Sequence, residues 1–543
     1  MKRFIEKYDD QEFDLIVIGG GITGSAVAYD AASRGLKVAL FEKKDFGWGT
    51  SAATSKLIHG GLRYLTRLEF GLVRESLRER RILENIAPNF VYPLPFMIPN
   101  YRRFKDNKRI IKTGMILYDI LSFDKGNTRD EAKKIPIHYS ISREDALSEE
   151  PNLREEGLTG AAVYYDCQNI SPERLTLAYI KSAVKYGAKV ANYAEIKDFI
   201  YANNKRIVGV KVLDLITRKE VEIKGKLTID CAGPWTDIIL NMAERDDTDH
   251  TIRRSEGIHI ITKPLVNRYA VALLTPKGRH FFIIPWRNHS LIGTTDKEYK
   301  GSPDNYHVTR QSIEEFLQDI NESFGNGTIS YDDILYAYGG LRPLVEDQVE
   351  GTYESSRKYE IFDCKKDGYD GLIAIEGGKY TTSRNLAVNA LKLVEKKLGR
   401  KIPKTTTDTE YLSGCEIQDL KSFFEKAHRE NPEFDKRTLD YLSKNYGTEY
   451  GKVLAIAKER QELSVPVTHD GEILAEVVYA TREEMAYTLK DIIFRRTGLG
   501  TLGNPGDSIV ERVGELAAKE LGWNGDRLKK EIEEAKQALS LPQ

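Results

Sequence analysis

Leu15 to Ile18, with Phe13 ahead of them, form an unbroken apolar run that ends on Gly19-Gly20-Gly21-Ile22-Thr23-Gly24 and continues into an alanine-rich segment. Such a run predicts a buried strand, and the segment after the glycines predicts a helix. A second apolar run, Val38 to Phe41, ends in Glu42. Strand, glycine turn, helix, strand and acid in that order predict a βαβ unit that binds a dinucleotide. Gly19 allows the tight turn, Gly21 lets backbone approach a pyrophosphate, and Gly24 lets helix and strand pack closely. The helix N-terminus then offers unpaired N–H groups and a positive dipole end to the phosphates. Glu42, 18 residues after Gly24, stands where a ribose hydroxyl pair would be held, and it repels a 2′-phosphate. Leu15 to Ala32 reaches the crude length of a membrane span, but the glycines break it and its flanks carry no stop-transfer pattern.

The pattern continues with a Gly-, Ser- and Thr-rich loop from Lys43 to Leu65, then a charged helix over Arg74 to Ile86 that the prolines from Pro88 to Pro99 break. Segment 126–151 is polar and predicts a surface excursion. A strand is expected from Gly160. Ser171-Pro172-Glu173 then starts a helix that runs to about Tyr186, with a capping hydroxyl and a proline at the first position. Short strands are expected over Lys189–Tyr193, Ile207–Leu213, Glu220–Ile223 and from Leu227, the last ending in Ala232-Gly233, a second place for backbone to approach a cofactor. Alternation from Gly257 to Asp296 predicts an antiparallel sheet, and Val308 to Phe324 an amphipathic helix. Leu372 to Lys379 repeats the form strand, glycine pair, helix, so the nucleotide domain must be discontinuous if the first and last units meet. From about Pro403 the chain becomes helical and charged, as a separate C-terminal domain would be.

Composition narrows the picture. A chain of 543 residues calls for two or three domains, and 41% hydrophobic with 30% charged residues describes an ordered globular protein. A net charge of −1 leaves attraction for anions to local patches and gives no support to nucleic-acid binding. Cys167, Cys231, Cys364 and Cys415 lie far apart with no CxxC spacing and no signal peptide ahead of them, as expected of reduced thiols in the cytoplasm. No His/Cys cluster has metal-ligand spacing, so no metal is expected.

Three stretches carry a closer resemblance: Gly49-Thr50-Ser51 followed by Ser55-Lys56-Leu57-Ile58-His59-Gly60-Gly61-Leu62-Arg63-Tyr64-Leu65, then Tyr338-Gly339-Gly340-Leu341-Arg342-Pro343-Leu344, and Gly377-Gly378-Lys379-Tyr380-Thr381-Thr382. With them the chain resembles, from its first strand to its helical tail, the aerobic-type FAD-dependent glycerol-3-phosphate dehydrogenases of bacteria. The departures are Ala52 and Ala53 in a run usually rich in serine, and Thr66 where an acid often follows. The resemblance implies an α/β fold: a discontinuous Rossmann-like FAD-binding domain (1–75, 155–250 and 340–400), an antiparallel β-rich substrate cap (76–154 and 251–339) and a C-terminal α-helical domain (401–543). It implies that sn-glycerol 3-phosphate is oxidised to dihydroxyacetone phosphate and that electrons pass to a membrane quinone. It also implies cofactor contacts from Gly19, Gly21, Gly24, Glu42, Thr50, Ser51, Ser55, Leu57, Ala232, Gly233, Gly378 and Thr381, and substrate contacts from Arg63, Tyr64, Arg342, Arg357 and Lys379. A homodimer stays open, and a glycerol-3-phosphate oxidase or an amine or amino-acid oxidase using oxygen is the alternative. The related oxidases carry an additional insertion that is not found here.

The chemistry of the residues agrees with this substrate. A near-dianionic phosphate is best held by guanidinium forks and an ammonium, whereas an amine would call for a carboxylate clamp or an aromatic cage. A single arginine is more often a solvated or ion-paired surface residue. Arg63 and Arg342 stand apart because each sits beside Gly or Pro in an apolar turn, where an unpaired cation is costly. His59 is the imidazole able to exchange a proton in its loop, with a satisfied structural histidine as the competing reading. Arg342 is suited to stabilise a developing alkoxide. A quinone acceptor would keep the protein cytoplasmic but peripherally bound to the inner, anionic face of the cell membrane. The candidate contact is Tyr101 to Phe123, whose first twelve residues hold Arg102, Arg103, Lys105, Lys108, Arg109 and Lys112 against the single acid Asp106, with Ile110, Ile111, Met115, Ile116, Leu117 and Leu121 as its apolar residues. A solvated helix packing its apolar side on the cap is the competing reading.

Overall fold

The computed structural model of the protein describes residues 1–8, 10–102, 108–202, 205–244, 251–275, 277–325, 327, 329–344 and 358–543. β1 (Phe13–Ile18) is buried at every position, as an apolar strand with neighbours on both sides must be. It runs parallel between the 220–230 strand and β2 (Val38–Phe41), with Ile18 level with Asp230 on one side and with Phe41 on the other. Residues 372–377 add a parallel strand beyond 220–230, residues 359–363 close that edge antiparallel, and residues 189–191 add a parallel strand beyond β2. The nucleotide-binding sheet is therefore assembled from segments far apart in the chain. One of its faces is covered by α1 (Ile22–Ser33) with the helices Pro172–Lys185 and Ser383–Leu398, and the alanines of α1 are buried among them. Ser171 caps the 172–185 helix, accepting from Arg174 N, with Pro172 at its start.

A second sheet of ten strands supplies the cap. Its order is 297–299, 253–262, 289–293, 280–286, 270–274, 91–101, 158–169 and 57–58, with 334–344 also pairing on 253–262 and 139–141 on 158–169. Three features differ from the sequence expectations. The proline stretch is itself a strand, Val91–Tyr101. Pro93, Pro95 and Pro99 all fall on odd positions, so their missing N–H groups lie on one edge and the even positions keep an unbroken ladder. Leu158–Asn169, assigned from the sequence to the nucleotide domain, pairs along its length with 91–101 in the cap sheet. The expected strands at 220 and 227 are one, Glu220–Asp230. Its alternating half pairs antiparallel with 207–214 and its apolar half enters the buried parallel sheet.

The C-terminal region folds into helices, among them Lys436–Tyr446, Ala475–Glu483, Asp507–Leu521 and Gly525–Leu539, around its own apolar core. Among the described residues no helix is long and apolar enough to cross a membrane. Lys108–Leu121 is helical as the periodicity suggested, while residues 103–107 lie outside the described residues.

Candidate active site

One cavity of about 1740 Å³ runs from the glycine turn to the cap sheet. At its first end, the turn carries Gly19 at φ +99° against the carbonyl of Cys231. Gly24 is not on the cavity wall. A Cβ there would lie 1.9 Å from the Gly19 carbonyl oxygen, so only glycine lets α1 fold back onto the turn. Gly21 lines the cavity at the head of α1, where Ile22 N donates to Ser51 Oγ at 2.9 Å. Glu42 Oε2 accepts from Gly20 N at 2.7 Å and Oε1 from Lys44 N at 2.8 Å. Burial raises this carboxyl, and the two N–H groups oppose the shift. Each oxygen keeps a lone pair to accept from a ribose hydroxyl. Ala232 and Gly233 line the same end, and Ala232 N is tied to the buried Asp230 carboxyl at 2.8 Å. Burial pushes the Asp230 carboxyl well above the usual carboxylate range.

The middle of the cavity is walled by Thr50, Ser55, Leu57, Gly378 and Thr381. Thr50 Oγ1 donates to Leu341 O at 2.5 Å, which joins the 49–55 loop to the strand that bears Arg342. Ser55 Oγ lies 2.8 Å from Nε2 of His259, whose ring stacks on Tyr338 at 5.0 Å between centroids. His259 is fully buried and its pKa is driven well below the ordinary value, by burial first and then by the charges of Arg342 and Lys56. Its neutral ring is a fixed polar element under the loop. Neither His259 nor its stacking partner was anticipated as part of the site, because a lone histidine within an alternating strand carries no local signal.

His59, Arg63, Tyr64, Arg342 and Lys379 also line the cavity. His59 N donates to Thr381 Oγ1 at 3.3 Å, and the next residue, Gly60, donates to Asp166 Oδ1 at 3.2 Å. Asp166 is held in turn by Arg80 at 2.5 Å and by Tyr118 OH at 2.7 Å. This buried support was not legible along the chain, because its members come from two helices and a strand. Burial lowers the His59 pKa to about 4, with Lys379 and Arg63 acting in the same sense and Asp166 against them. The imidazole is therefore a neutral proton acceptor in the substrate-free protein. His280, which also lines the cavity, is lowered to about 4 by burial and by Arg63.

Lys379 Nζ donates to Ser76 Oγ at 2.8 Å and sits 4.7 Å over the Tyr64 ring, while the Arg63 guanidinium lies 5.0 Å from that ring and donates to Tyr64 OH at 3.2 Å. Burial lowers Lys379. Arg342 reaches the same cavity from the 334–344 strand, Nη1 donating to Thr295 O at 3.1 Å and Nη2 to Thr294 Oγ1 at 2.6 Å. It passes over Gly257, where a Cβ would lie 1.9 Å from Nη2. Arg342 also faces Asp296 Oδ2 at 3.8 Å, so with neutral histidines the wall keeps Arg63, Lys379 and a partly offset Arg342 to attract a small dianion. Arg357 lies outside the described residues.

The donor set fits a flavin dinucleotide: an acid for the ribose, a glycine turn and helix N-terminus for the diphosphate, and a cavity larger than one small ligand needs. Comparisons with known proteins agree. The family model described as FAD dependent oxidoreductase matches residues 14–382, and that described as the C-terminal domain of alpha-glycerophosphate oxidase matches residues 405–528. A glycerol-3-phosphate dehydrogenase of Synechocystis is 35% identical over 548 residues, covering 98% of this chain and 97% of that protein. An alpha-glycerophosphate oxidase of Streptococcus pyogenes is 30% identical over an alignment of 606 positions, covering 99% of this chain and 96% of the relative. The crystal structure of the glycerol-3-phosphate dehydrogenase from Bacillus halodurans complexed with FAD matches with a TM-score of 0.79 at 28% identity, over 98% of this chain and 96% of that one. The chain belongs to the family of FAD-dependent glycerol-3-phosphate dehydrogenases and oxidases.

Proposed function

We propose that this protein oxidises sn-glycerol 3-phosphate to dihydroxyacetone phosphate and passes the electrons to a membrane quinone. The observation that carries the substrate is the meeting of Arg63, Tyr64, Lys379 and Arg342 with a neutral His59 in the cavity that begins at the glycine turn. Bound FAD supplies the acceptor for the hydride that leaves C2. Arg63 and Lys379 take the phosphate, with the Tyr64 hydroxyl as a neutral donor beside them and Arg357 assigned with them. Arg342, fixed through Thr294 and Thr295, donates toward the C2 oxygen as negative charge develops on it. His59 accepts the C2 hydroxyl proton, and the arriving phosphate raises its basicity by offsetting Lys379 and Arg63. Gly19, Gly21, Glu42, Thr50, Ser51, Ser55, Leu57, Ala232, Gly233, Gly378 and Thr381 hold the cofactor, and Gly24 shapes the turn that does so.

The quinone reading rests on the resemblance to dehydrogenases such as the Synechocystis relative; the alignment with the Streptococcus oxidase is longer than this chain, so that protein carries segments absent here. A membrane contact is supported by the 108–121 helix. Met115 and Tyr118 face the interior, yet Ile116, Ile120 and the following Phe123, none of them on the cavity wall, are 44%, 61% and 76% exposed. A helix that is only solvated would not hold that apolar face outward. The test is anaerobic addition of glycerol 3-phosphate to the yellow protein. Bleaching of the flavin band, and re-oxidation by a soluble quinone faster than by air, is expected. A band that persists refutes the substrate, and faster re-oxidation by air refutes the acceptor.

A further inference from the structure

Asp45 lies three residues beyond Glu42 and is completely buried, although nothing in the expected chemistry calls for a second carboxylate there. Its Oδ2 accepts from Arg495 Nε at 2.6 Å and from Arg496 Nη1 at 2.8 Å, and its Oδ1 from Arg496 Nη2 at 2.7 Å and Asn192 Nδ2 at 3.0 Å. Both arginines belong to the C-terminal domain, on a π-helical turn from Ile492 to Arg496, a local irregularity that recurs at functional sites. Arg496 Nε is fixed by Glu484 O at 2.9 Å, and Arg495 also holds Asp491 at 2.5 Å. Burial alone would raise the Asp45 carboxyl, but the two arginines outweigh it and hold it down to about 2, so the whole cluster is charged.

The position of Asp45 is transmitted to the glycine turn by short steps. Lys44 N, next to Asp45, donates to Glu42 Oε1 at 2.8 Å, and Gly47 N donates to Gly20 O at 2.9 Å. Phe46, between them, is buried against Gly20. The loop that carries the ribose acid is thus laced to the turn on its inner side and pinned by the C-terminal domain on its outer side.

We propose that Arg495 and Arg496 are positioning residues for FAD: through Asp45 they fix the 42–47 loop, so that the C-terminal domain retains the adenosine half of the cofactor. The inference rests on the reading that the glycine turn and Glu42 hold that half. A bidentate arginine fork on a buried carboxylate sets orientation as well as charge, which is what a loop with no regular structure needs.

Full-length protein stripped of flavin and titrated separately with FAD and with ADP, followed by the fluorescence of Trp48 and Trp235 on the cavity wall, tests this. Arg496→Met is compared with Arg287→Met. The latter removes bonds to Asp470, Glu472, Gly498 O and Thr501 that fasten the same domain to the cap sheet, and none to Asp45. Arg496→Met should weaken FAD and ADP alike by at least about tenfold, the equivalent of one charge-assisted bond lost to the complex. Arg287→Met should lower the melting temperature but leave both affinities unchanged. Equal loss in the two variants, unchanged affinity in Arg496→Met, or loss for FAD with ADP unaffected would each overturn the inference. If Arg496→Met does not fold, Arg495→Lys keeps the cation and withdraws the Nε–H bond to Asp45, and ADP affinity equal to the parent's overturns it. A parent protein that binds neither ADP nor FAD would instead refute the cofactor site itself.

Discussion

Gly257→Ala adds one methyl group in the cap sheet and should disable Arg342 without touching it. The new Cβ would lie 1.9 Å from Nη2, 2.4 Å from Cζ and 2.7 Å from Nη1. Non-bonded heavy atoms settle near 3.5 Å, so the guanidinium must retreat by roughly 1.5 Å. That movement breaks the 2.6 Å bond to Thr294 Oγ1 and withdraws the donors from the cavity. A displacement of this order in a positioning group costs about a hundredfold in kcat/KM, or about 2.7 kcal/mol of transition-state stabilisation. The obstructing atoms are the tip of a flexible side chain, so the strand need not move, and the stability cost stays near the low end of overpacking, about 1 kcal/mol. The assay is anaerobic reduction of a soluble dye by glycerol 3-phosphate, with flavin content read from the visible band and stability from thermal unfolding. A variant with full flavin and the parent's kcat/KM would refute the placement of Arg342 against Gly257 and its role with it.

Arg342→Lys should also lower turnover, by roughly ten- to a hundredfold, because one ammonium cannot reach both Thr294 Oγ1 and Thr295 O while facing the substrate; unchanged kcat and KM would make Arg342 structural only. The fold accommodates His59 as the neutral imidazole, with its pKa near 4, whereas the unfolded chain takes a proton near 6.5. Its contribution to stability is therefore whole above pH 6.5 and is lost as the pH falls toward 4. His59→Asn should accordingly lessen the fall in melting temperature between pH 7 and pH 5, with His259 and His280 contributing to the remainder, and equal falls in parent and variant would count against a neutral ring. Reversing the charges of Arg102, Arg103 and Lys105 should weaken sedimentation with anionic liposomes at low salt while dye-linked activity persists. Sedimentation like the parent's would move the membrane contact elsewhere.

Elements set by local chemistry were legible in the sequence. β1, the glycine turn and α1 follow from an apolar run and three glycines whose spacing has one physical use, and Ser171-Pro172 marks a helix start because cap and fixed φ act within one turn. The Val91–Tyr101 strand was hidden because proline is ordinarily excluded from sheets, and only the partner strands reveal that its three prolines share an edge. The candidate site divides the same way. His59, Arg63 and Tyr64 sit in one unusual loop, whereas Asp166 and Arg80, 86 residues apart, and Asp45 and Arg496, 451 apart, meet only through tertiary packing. Pattern along a chain reports what neighbours do to each other, and a buried ion pair between distant segments leaves no mark on either.

The dispersal of the nucleotide sheet orders events during synthesis. The glycine turn leaves the ribosome well before its sheet can close: β1 has no partner on one side until residues 220–230 have emerged, and that strand stays an open edge until residues 372–377 follow. An unpaired edge of buried, apolar residues is an invitation to pair with other chains. Asp45 waits longer still, because the arginines that neutralise it lie 450 and 451 residues further along the chain. A chain interrupted anywhere before that point carries the sequence signature of a flavin site without its neutralised floor. On the role proposed for Asp45, capture of the flavin marks chains that have been made at least as far as Arg496.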